Sequence, residues 1–307
     1  MDISELKILS ETKLNNETIR ELIKNKYFEN IDKWDVSEVT DMSKLFHCMH
    51  QFNENIEDWN VSNVTNMTHM FLCCYDFNKD LSKWNVSKVT DMSYMFVFCT
   101  GGFRGIDNWD VSNVTNMRRM FSEIEFHDNW DISKWNVSNV TNMYGMFYQC
   151  INFNQDISKW NVSNVTDMKY MFWRCEDFNI KLNKWNVSNV TDMSYMFSRC
   201  IKFNKSISKW NVSNVTNMGN MFSSCLKFNR DIGNWDVSNV TNMSSMFSGC
   251  LKFNMEIVNW NVSNVIHMLR MFDNCQNFNI DISNWNVGNV IDMQSMFNRC
   301  IKFNQII

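Results

Sequence analysis

The sequence predicts an α/β repeat protein, a solenoid of eleven strand–turn–helix units with a parallel sheet on its inner face. Three observations predict it. Tryptophan returns every 25 residues, at Trp34, Trp59, Trp84, Trp109, Trp135, Trp160, Trp185, Trp210, Trp235, Trp260 and Trp285, with one interval of 26 between Trp109 and Trp135. Each unit superposes a strand-like and a helix-like hydrophobic period. The 307 residues contain no proline, and no Gly/Ser linker divides them, so one continuous body is expected. A unit this short cannot bury its own apolar face, and stacking on its neighbours covers it.

The elements follow in order. Residues 1–33 read as a helical cap, with Ile19, Leu22, Ile23 and Tyr27 on one face and Asn15 and Asn16 before them as capping residues. Residues 34–307 form the repeat body. In the unit from Ile157 to Phe178, Trp160 and Val162 alternate with Lys159, Asn161 and Ser163 as a half-buried strand does. From Met168 the apolar positions run 0, 3, 4, 7 through Met171, Phe172 and Cys175, the stripe of a short helix, and Thr166 or Asp167 is placed to cap it. The spacing of Ile157, Trp160 and Val162 matches the L-x-x-L-x-L strand of leucine-rich repeats. At the far end the chain stops at Phe303 to Ile307 directly after the last predicted helix, leaving an uncapped edge open to self-association.

Two further columns are read as structural. Asparagine follows the last ladder phenylalanine at Asn53, Asn78, Asn154, Asn179, Asn204, Asn229, Asn254, Asn279 and Asn304, and is expected as an internal polar ladder of buried amides that serve backbone groups on adjacent turns. Nine of the 11 cysteines, Cys74, Cys99, Cys150, Cys175, Cys200, Cys225, Cys250, Cys275 and Cys300, fall on the buried stripe and are expected as reduced, apolar-like thiols.

No catalytic, cofactor or metal constellation emerges. Cys48, Cys73, Cys74, His47, His50 and His69 cluster, but without the spacings of a zinc site, and His127 and His267 stand alone. The recurring Asn-Val-Ser and Asn-Val-Thr triplets, as at Asn60 and Asn63, reflect turn chemistry rather than glycosylation. The glycine-rich turn Thr100–Gly105 has no phosphate-loop lysine, and with the extra residue near Phe126 to Trp130 it marks a bulge or bend. A net charge of −4 and an isoelectric point near 5.8 favour neither nucleic acid nor an anionic membrane. No apolar run spans a bilayer, and the N-terminus shows no secretory signal, so an intracellular or virion-associated protein is expected.

Two surfaces are candidates for binding. Lys33, Lys83, Lys134, Lys159, Lys184 and Lys209 precede the ladder tryptophan, and Asn or Asp follows it in every unit, which gives a row of charge beside a row of amides. The second surface is more telling because the core leaves it free to vary. Tyr94, Phe98, Arg118, Arg119, Tyr144, Tyr148, Tyr170, Trp173, Arg174 and Tyr195 occupy variable positions of the third to seventh units, where later units carry Ser, Gly or Asn. Aromatic side chains mixed with arginine are the composition of interface hot spots.

The phrase W-N-V-S-N-V-T-N/D-M-S-x-M-F-x-x-C-x-x-F-N-x-D-I, as it stands from Trp185 onward, resembles the 25- to 26-residue repeat of bacterial surface proteins related to BspA-type leucine-rich repeats. It is similar to repeats of large DNA viruses and protists, and the likeness runs from Trp34 to Asn304. The resemblance implies a leucine-rich-repeat-like solenoid that binds or displays, with no activity to carry over. The expected function is a non-enzymatic scaffold for protein–protein interaction, with a displayed surface protein or adhesin contacting a host cell as the alternative. An enzyme ranks third, for want of any acid/base, nucleophile or metal set.

Overall fold

Asp2 and Asn15 each start a helix, because their side-chain oxygens accept the amides that a first helical turn leaves free. The computed structural model describes residues 1–126 and 130–306, and it divides into two compact units, residues 1–140 and 141–307. His127 lies outside the described residues. Helix α1 spans Ile3–Ser10 and helix α2 spans Asn16–Lys24. The α2 face that the sequence predicts is buried at Ile19, Leu22 and Ile23, while Tyr27 beyond its end is half-buried. Polar side chains flanking this buried face of α2 seal the first rung. Arg20 donates to the carbonyls of Ser43 at 2.7 Å and Asp41 at 3.2 Å, and Asn16 Oδ1 accepts the amides of Thr40 and Asp41 at 2.9 and 3.1 Å. Side chains of the cap thus satisfy the backbone groups that a neighbouring rung satisfies elsewhere.

The rungs correct the predicted strand–turn–helix unit. Apart from a single 3-10 turn at Ile31–Lys33, the described residues beyond α2 contain no helix and no strand, only turns joined by isolated parallel bridges. One such bridge falls on each rung at the residue before the first ladder methionine, linking Asp41, Asn66, Asp91 and Asn116 in one unit and Asn142 through Asp292 in the other, always Asn or Asp except at His267. The segment read as a helix is a chain of tight turns. Met171, Trp173 and Cys175 donate backwards to Met168, Tyr170 and Phe172 at 3.1, 3.0 and 3.0 Å. The alternate amides of Tyr170, Phe172 and Arg174 donate to Ser194, Met196 and Ser198 of the next rung at 3.1, 2.9 and 2.8 Å. A helix would keep every amide within its own rung. Here half of them bond rung to rung, and the resulting path requires a left-handed residue twice per rung, at Tyr170 (φ 59°) and Arg174 (φ 60°) in this one.

The reason the sequence misleads is geometric. A turn chain whose backbone reverses hand every fourth residue brings positions 0, 3, 4 and 7 inward, as a helix does. The predicted cap is real chemistry in another setting, since Asp167 Oδ1 accepts the Lys169 amide at 3.0 Å and opens the first turn. Likewise the strand predicted around Trp160 and Val162 is a turn pair, with Trp160 donating to Ile157 and Val165 to Val162 at 3.1 and 3.0 Å.

Inside each unit, like side chains touch like. In residues 141–307 the rings of Phe172, Phe197, Phe222, Phe247 and Phe272 follow one another at 5.6–5.7 Å, and each faces a second phenylalanine of its own rung at about 4 Å, as Phe222 faces Phe228 at 4.1 Å. Indole rings stack at 6.2 Å for Trp34 and Trp59 and at 6.4 Å for Trp210 and Trp235. Each buried indole needs a partner for its N–H, and Trp59, Trp84, Trp210 and Trp235 find it in the carbonyl 28 residues earlier, Ile31, Ile56, Leu182 and Ile207. The ladder cysteines do the same with sulfur. Cys175, Cys200, Cys225 and Cys250 donate to Phe147, Phe172, Phe197 and Phe222 at 2.9–3.0 Å, and burial pushes these thiols well above the usual cysteine range.

The asparagine column lies at the surface rather than inside. Each side chain takes the backbone amide of the next asparagine in the column: Asn179 Oδ1 accepts from Asn204 at 3.0 Å and Asn204 Oδ1 from Asn229 at 3.1 Å. A second column, not singled out from the sequence, runs along the turn after the tryptophan. There Asn189, Asn214 and Asn239 donate from Nδ2 to Ser163, Ser188 and Ser213 at 2.7 Å. In the irregular stretch, a Cβ on Gly101 would lie 2.6 Å from the backbone of Asp76 and Phe77, so glycine lets two rungs close there. Trp130, off the ladder, plugs the same region with its Nε1 donating to Phe103 at 2.7 Å.

Candidate interaction surface

The left-handed turn positions decide where variable side chains go. Their first set is Lys44, His69, Tyr94 and Arg119 in one unit and Gly145, Tyr170, Tyr195, Asn220, Ser245, Arg270 and Ser295 in the other. The second set, four residues later, includes Cys48, Cys73, Phe98, Glu123, Gln149, Arg174, Arg199 and Gly249. Six of the ten predicted binding residues occupy these positions: Tyr94, Phe98, Arg119, Tyr170, Arg174 and Tyr195. The other four, Arg118, Tyr144, Tyr148 and Trp173, each stand one residue before such a position. Left-handed backbone at bulky residues often marks a functional site. It recurs in every rung here, so it belongs to the fold.

The ten residues are half-buried rather than freely exposed, and they divide between the two units. In residues 1–140, Tyr94 stacks on His69 at 4.5 Å with planes 8° apart, and Arg118 Nε donates to the Tyr94 hydroxyl at 2.7 Å with its guanidinium 5.8 Å over the ring. His69 was not among the predicted residues. Burial first, then the charges of Lys44 and His47, lower its pKa and keep it neutral, and its Nδ1 is buried without a hydrogen-bond partner among the described residues.

In residues 141–307 the remaining six form one patch. Tyr170 stacks on Tyr195 at 4.5 Å and meets Tyr144 and Tyr148 edge-on at 5.6 and 5.9 Å. Tyr148 stacks on Trp173 at 4.5 Å, and the Arg199 guanidinium lies 5.7 Å over Trp173. Lys169 sits 5.5 Å over Tyr170, and Arg174 pairs with Gln149 at 3.1 Å and with Glu176 at 3.5 Å. Burial, then the neighbouring tyrosines, push the Tyr170 phenol up to about 12, so it stays a hydrogen-bond donor at neutral pH. Arg199 is the residue that sequence inspection missed. Its signal was present, one repeat after Arg174.

The lysines of the row before the ladder tryptophan, Lys33, Lys83, Lys134, Lys159, Lys184 and Lys209, are all exposed, and Lys83 pairs with Asp58 of the preceding rung. Among the described residues no three His, Cys, Asp or Glu side chains converge as metal ligands, and no helix is long and apolar enough to cross a membrane.

Turn-built rungs stacked in register within each unit, with a repeated interior spacing and a variable column at the left-handed sites, define a tandem-repeat protein of the solenoid class. The sequence matches the family described as Mycoplasma protein of unknown function, DUF285, over residues 17–102, 98–208, 175–265 and 196–307, and the chain belongs to that family. No curated protein matches it. Among solved structures, a leucine-rich repeat protein from Bacteroides ovatus ATCC 8483 is similar at 12% identity, over 88% of this chain and 82% of that one, with a TM-score of 0.32. A chain of a TLR13–ssRNA13 complex is similar at 10% identity, over 88% of this chain and 41% of that one, with a TM-score of 0.21.

Proposed function

We propose that the protein is a non-enzymatic repeat scaffold that binds a protein partner through the aromatic and basic patch around Tyr170 and Trp173. The observation that carries this is the confinement of Tyr144, Tyr148, Tyr170, Trp173 and Tyr195 to consecutive rungs, at positions where later rungs hold Gly219, Asn220, Ser245 and Ser248. Those later residues show that the fold does not need aromatic rings there. Stacked rings held against arginine and lysine give rigid, amphipathic contact area with little side-chain entropy left to lose. The patch in residues 1–140, built from Tyr94, Phe98, Arg118 and Arg119, serves the same purpose in the other unit.

Pull-down with the native chain and with a Tyr170→Ala, Trp173→Ala variant tests this reading. The expected result is loss of the partner with the unfolding midpoint nearly unchanged. An unchanged set of partners removes the patch from consideration.

The BspA-type kinship and the leucine-rich-repeat-like geometry rest on the repeat phrase, and an intracellular or virion-associated setting fits a chain rich in buried, unbridged thiols. Recovery of the native protein from a cell surface with its ladder cysteines oxidised would favour the adhesin role instead.

The final rung supports self-association as a further part of this proposal. Ile291, Met293 and Ile301 are exposed there, and Trp285, Val287, Met293, Met296 and Phe297 line a cavity of about 380 Å³. In the preceding rung the amides of Met268, Arg270 and Phe272 are taken by the carbonyls of Asp292, Gln294 and Met296. A copy that presents carbonyls in the same register extends the stack. Met293→Glu is expected to abolish concentration-dependent association in sedimentation, and association that persists would refute this edge as its seat.

A further inference from the structure

Two cysteines stand outside the buried column, and they share one position on neighbouring rungs. Cys48 and Cys73 take the second left-handed site of their rungs, at φ 58° and 60°. The Cys48 amide donates to the Leu72 carbonyl at 2.8 Å, which holds the two backbones one rung apart and in register. Cys48 is exposed and Cys73 half-buried. The two side chains therefore leave equivalent backbone positions of adjacent rungs, side by side. His47 Nε2 lies 3.5 Å from Cys48 Sγ. Cys48 further lines a cavity of about 470 Å³ with Lys26, Phe28, His50 and Glu54.

We propose that Cys48 and Cys73 form a reversible thiol–disulfide site, oxidised to an intrachain bridge by a small anionic disulfide that enters the cavity beside Lys26. His47 takes the proton of Cys48 and frees the thiolate, which attacks one sulfur of the incoming disulfide. That S–S bond breaks, a mixed disulfide forms on Cys48, and the first small thiol leaves with a proton. Cys73 then loses its proton and attacks the Cys48 sulfur, releasing the second small thiol. In sum, two cysteine thiols are oxidised and one disulfide is reduced to two thiols.

The order of attack follows from the environments. Burial pushes the Cys73 thiol up, which leaves the exposed Cys48 to react first. Equivalent positions of these two rungs are about as far apart as the rings of Phe46 and Phe71, which stack at 5.5 Å, and a disulfide accepts about 4.4–6.8 Å between Cα atoms. Their parallel Cβ vectors favour a bridge that reduces readily, which suits a switch better than a permanent staple. The ladder cysteines do not compete, because Cys175, Cys200 and Cys225 are buried and their sulfurs are engaged with carbonyls.

The test incubates the reduced full chain with oxidised glutathione, quenches with acid, alkylates and reads the masses. Two of the 11 thiols are expected to become unavailable, with no glutathione retained, a linked Cys48–Cys73 peptide and full reversal by dithiothreitol. Cys73→Ser is expected to retain glutathione on Cys48, and Cys48→Ser to lose no thiol. Serine fits this site, since Ser224 holds the same position at φ 61°. Glutathione that persists on Cys48 of the native chain, a bridge between other cysteines, or no thiol loss in either the native chain or Cys73→Ser overturns the proposal.

Discussion

Ser245 tests the backbone path of every rung through one side chain. It sits at the first left-handed position, φ 54°, where Gly145 stands in an earlier rung, and its amide bond to the Leu269 carbonyl at 2.7 Å survives any substitution but proline. A left-handed conformation costs an L-residue about 1–2 kcal/mol, which glycine escapes. Glycine also gains freedom in the unfolded chain, worth about 0.4–1 kcal/mol against it. The balance makes Ser245→Gly more stable than Ser245→Ala by about 1 kcal/mol. On a helix the order reverses, because glycine is about 0.8–1.0 kcal/mol worse than alanine there. Urea unfolding followed by tryptophan fluorescence separates the two cases by sign, a stronger discrimination than size. An alanine variant more stable than the glycine variant, at equal urea dependence, would refute the turn-chain rung. The mirror substitution Gly145→Ala should cost about 1 kcal/mol or more on the same argument.

Trp210→Phe leaves the Leu182 carbonyl without its 2.9 Å indole donor in a buried column, and urea unfolding should show a loss of about 2–3 kcal/mol. Gly101→Ala drives a Cβ against backbone and should cost about 3 kcal/mol by the same assay, whereas Gly219→Ser, at a position where Ser194 and Ser244 stand in neighbouring rungs, should be close to neutral. Asp110 and Asp236 have pKa values lowered by the hydroxyls and then the amides of Ser112 and Ser238. Their folded values therefore lie below the unfolded value of about 3.9, so the stability they add is complete above that pH and is lost as pH falls through the folded values. Asp236→Asn keeps the turn, as Asn211 does with Ser213 at 3.1 Å, and melting curves at acid pH should show a smaller loss for it than for the native chain.

The outer column explains how one interior can carry different surfaces. A rung spends its alternate amides on its neighbour, and this fixes the backbone whichever side chain stands at the left-handed sites. Tyr195, Asn220, Ser245 and Arg270 follow one another there on the same path. The surface can thus change by single substitutions with the core untouched, and the aromatic rings and the two cysteines stand at or beside these sites in different rungs.

The sequence by itself determined the period, the rung count, the buried identities and the α2 cap, because stacking in register demands like residues at like positions and that demand is written as a 25-residue spacing. It also marked the ten variable positions, since only residues free of the core depart from the pattern. The tertiary structure alone decided the rung's secondary structure. Helix and turn chain place the same apolar residues inward, and what separates them is where each amide finds its carbonyl: within the rung, or in the next one, as Phe172 does with Met196. The same holds for the site. That Tyr170 stacks on Tyr195, Tyr148 on Trp173, and Cys48 stands one rung from Cys73 follows from rungs a single hydrogen bond apart, a distance that composition does not carry.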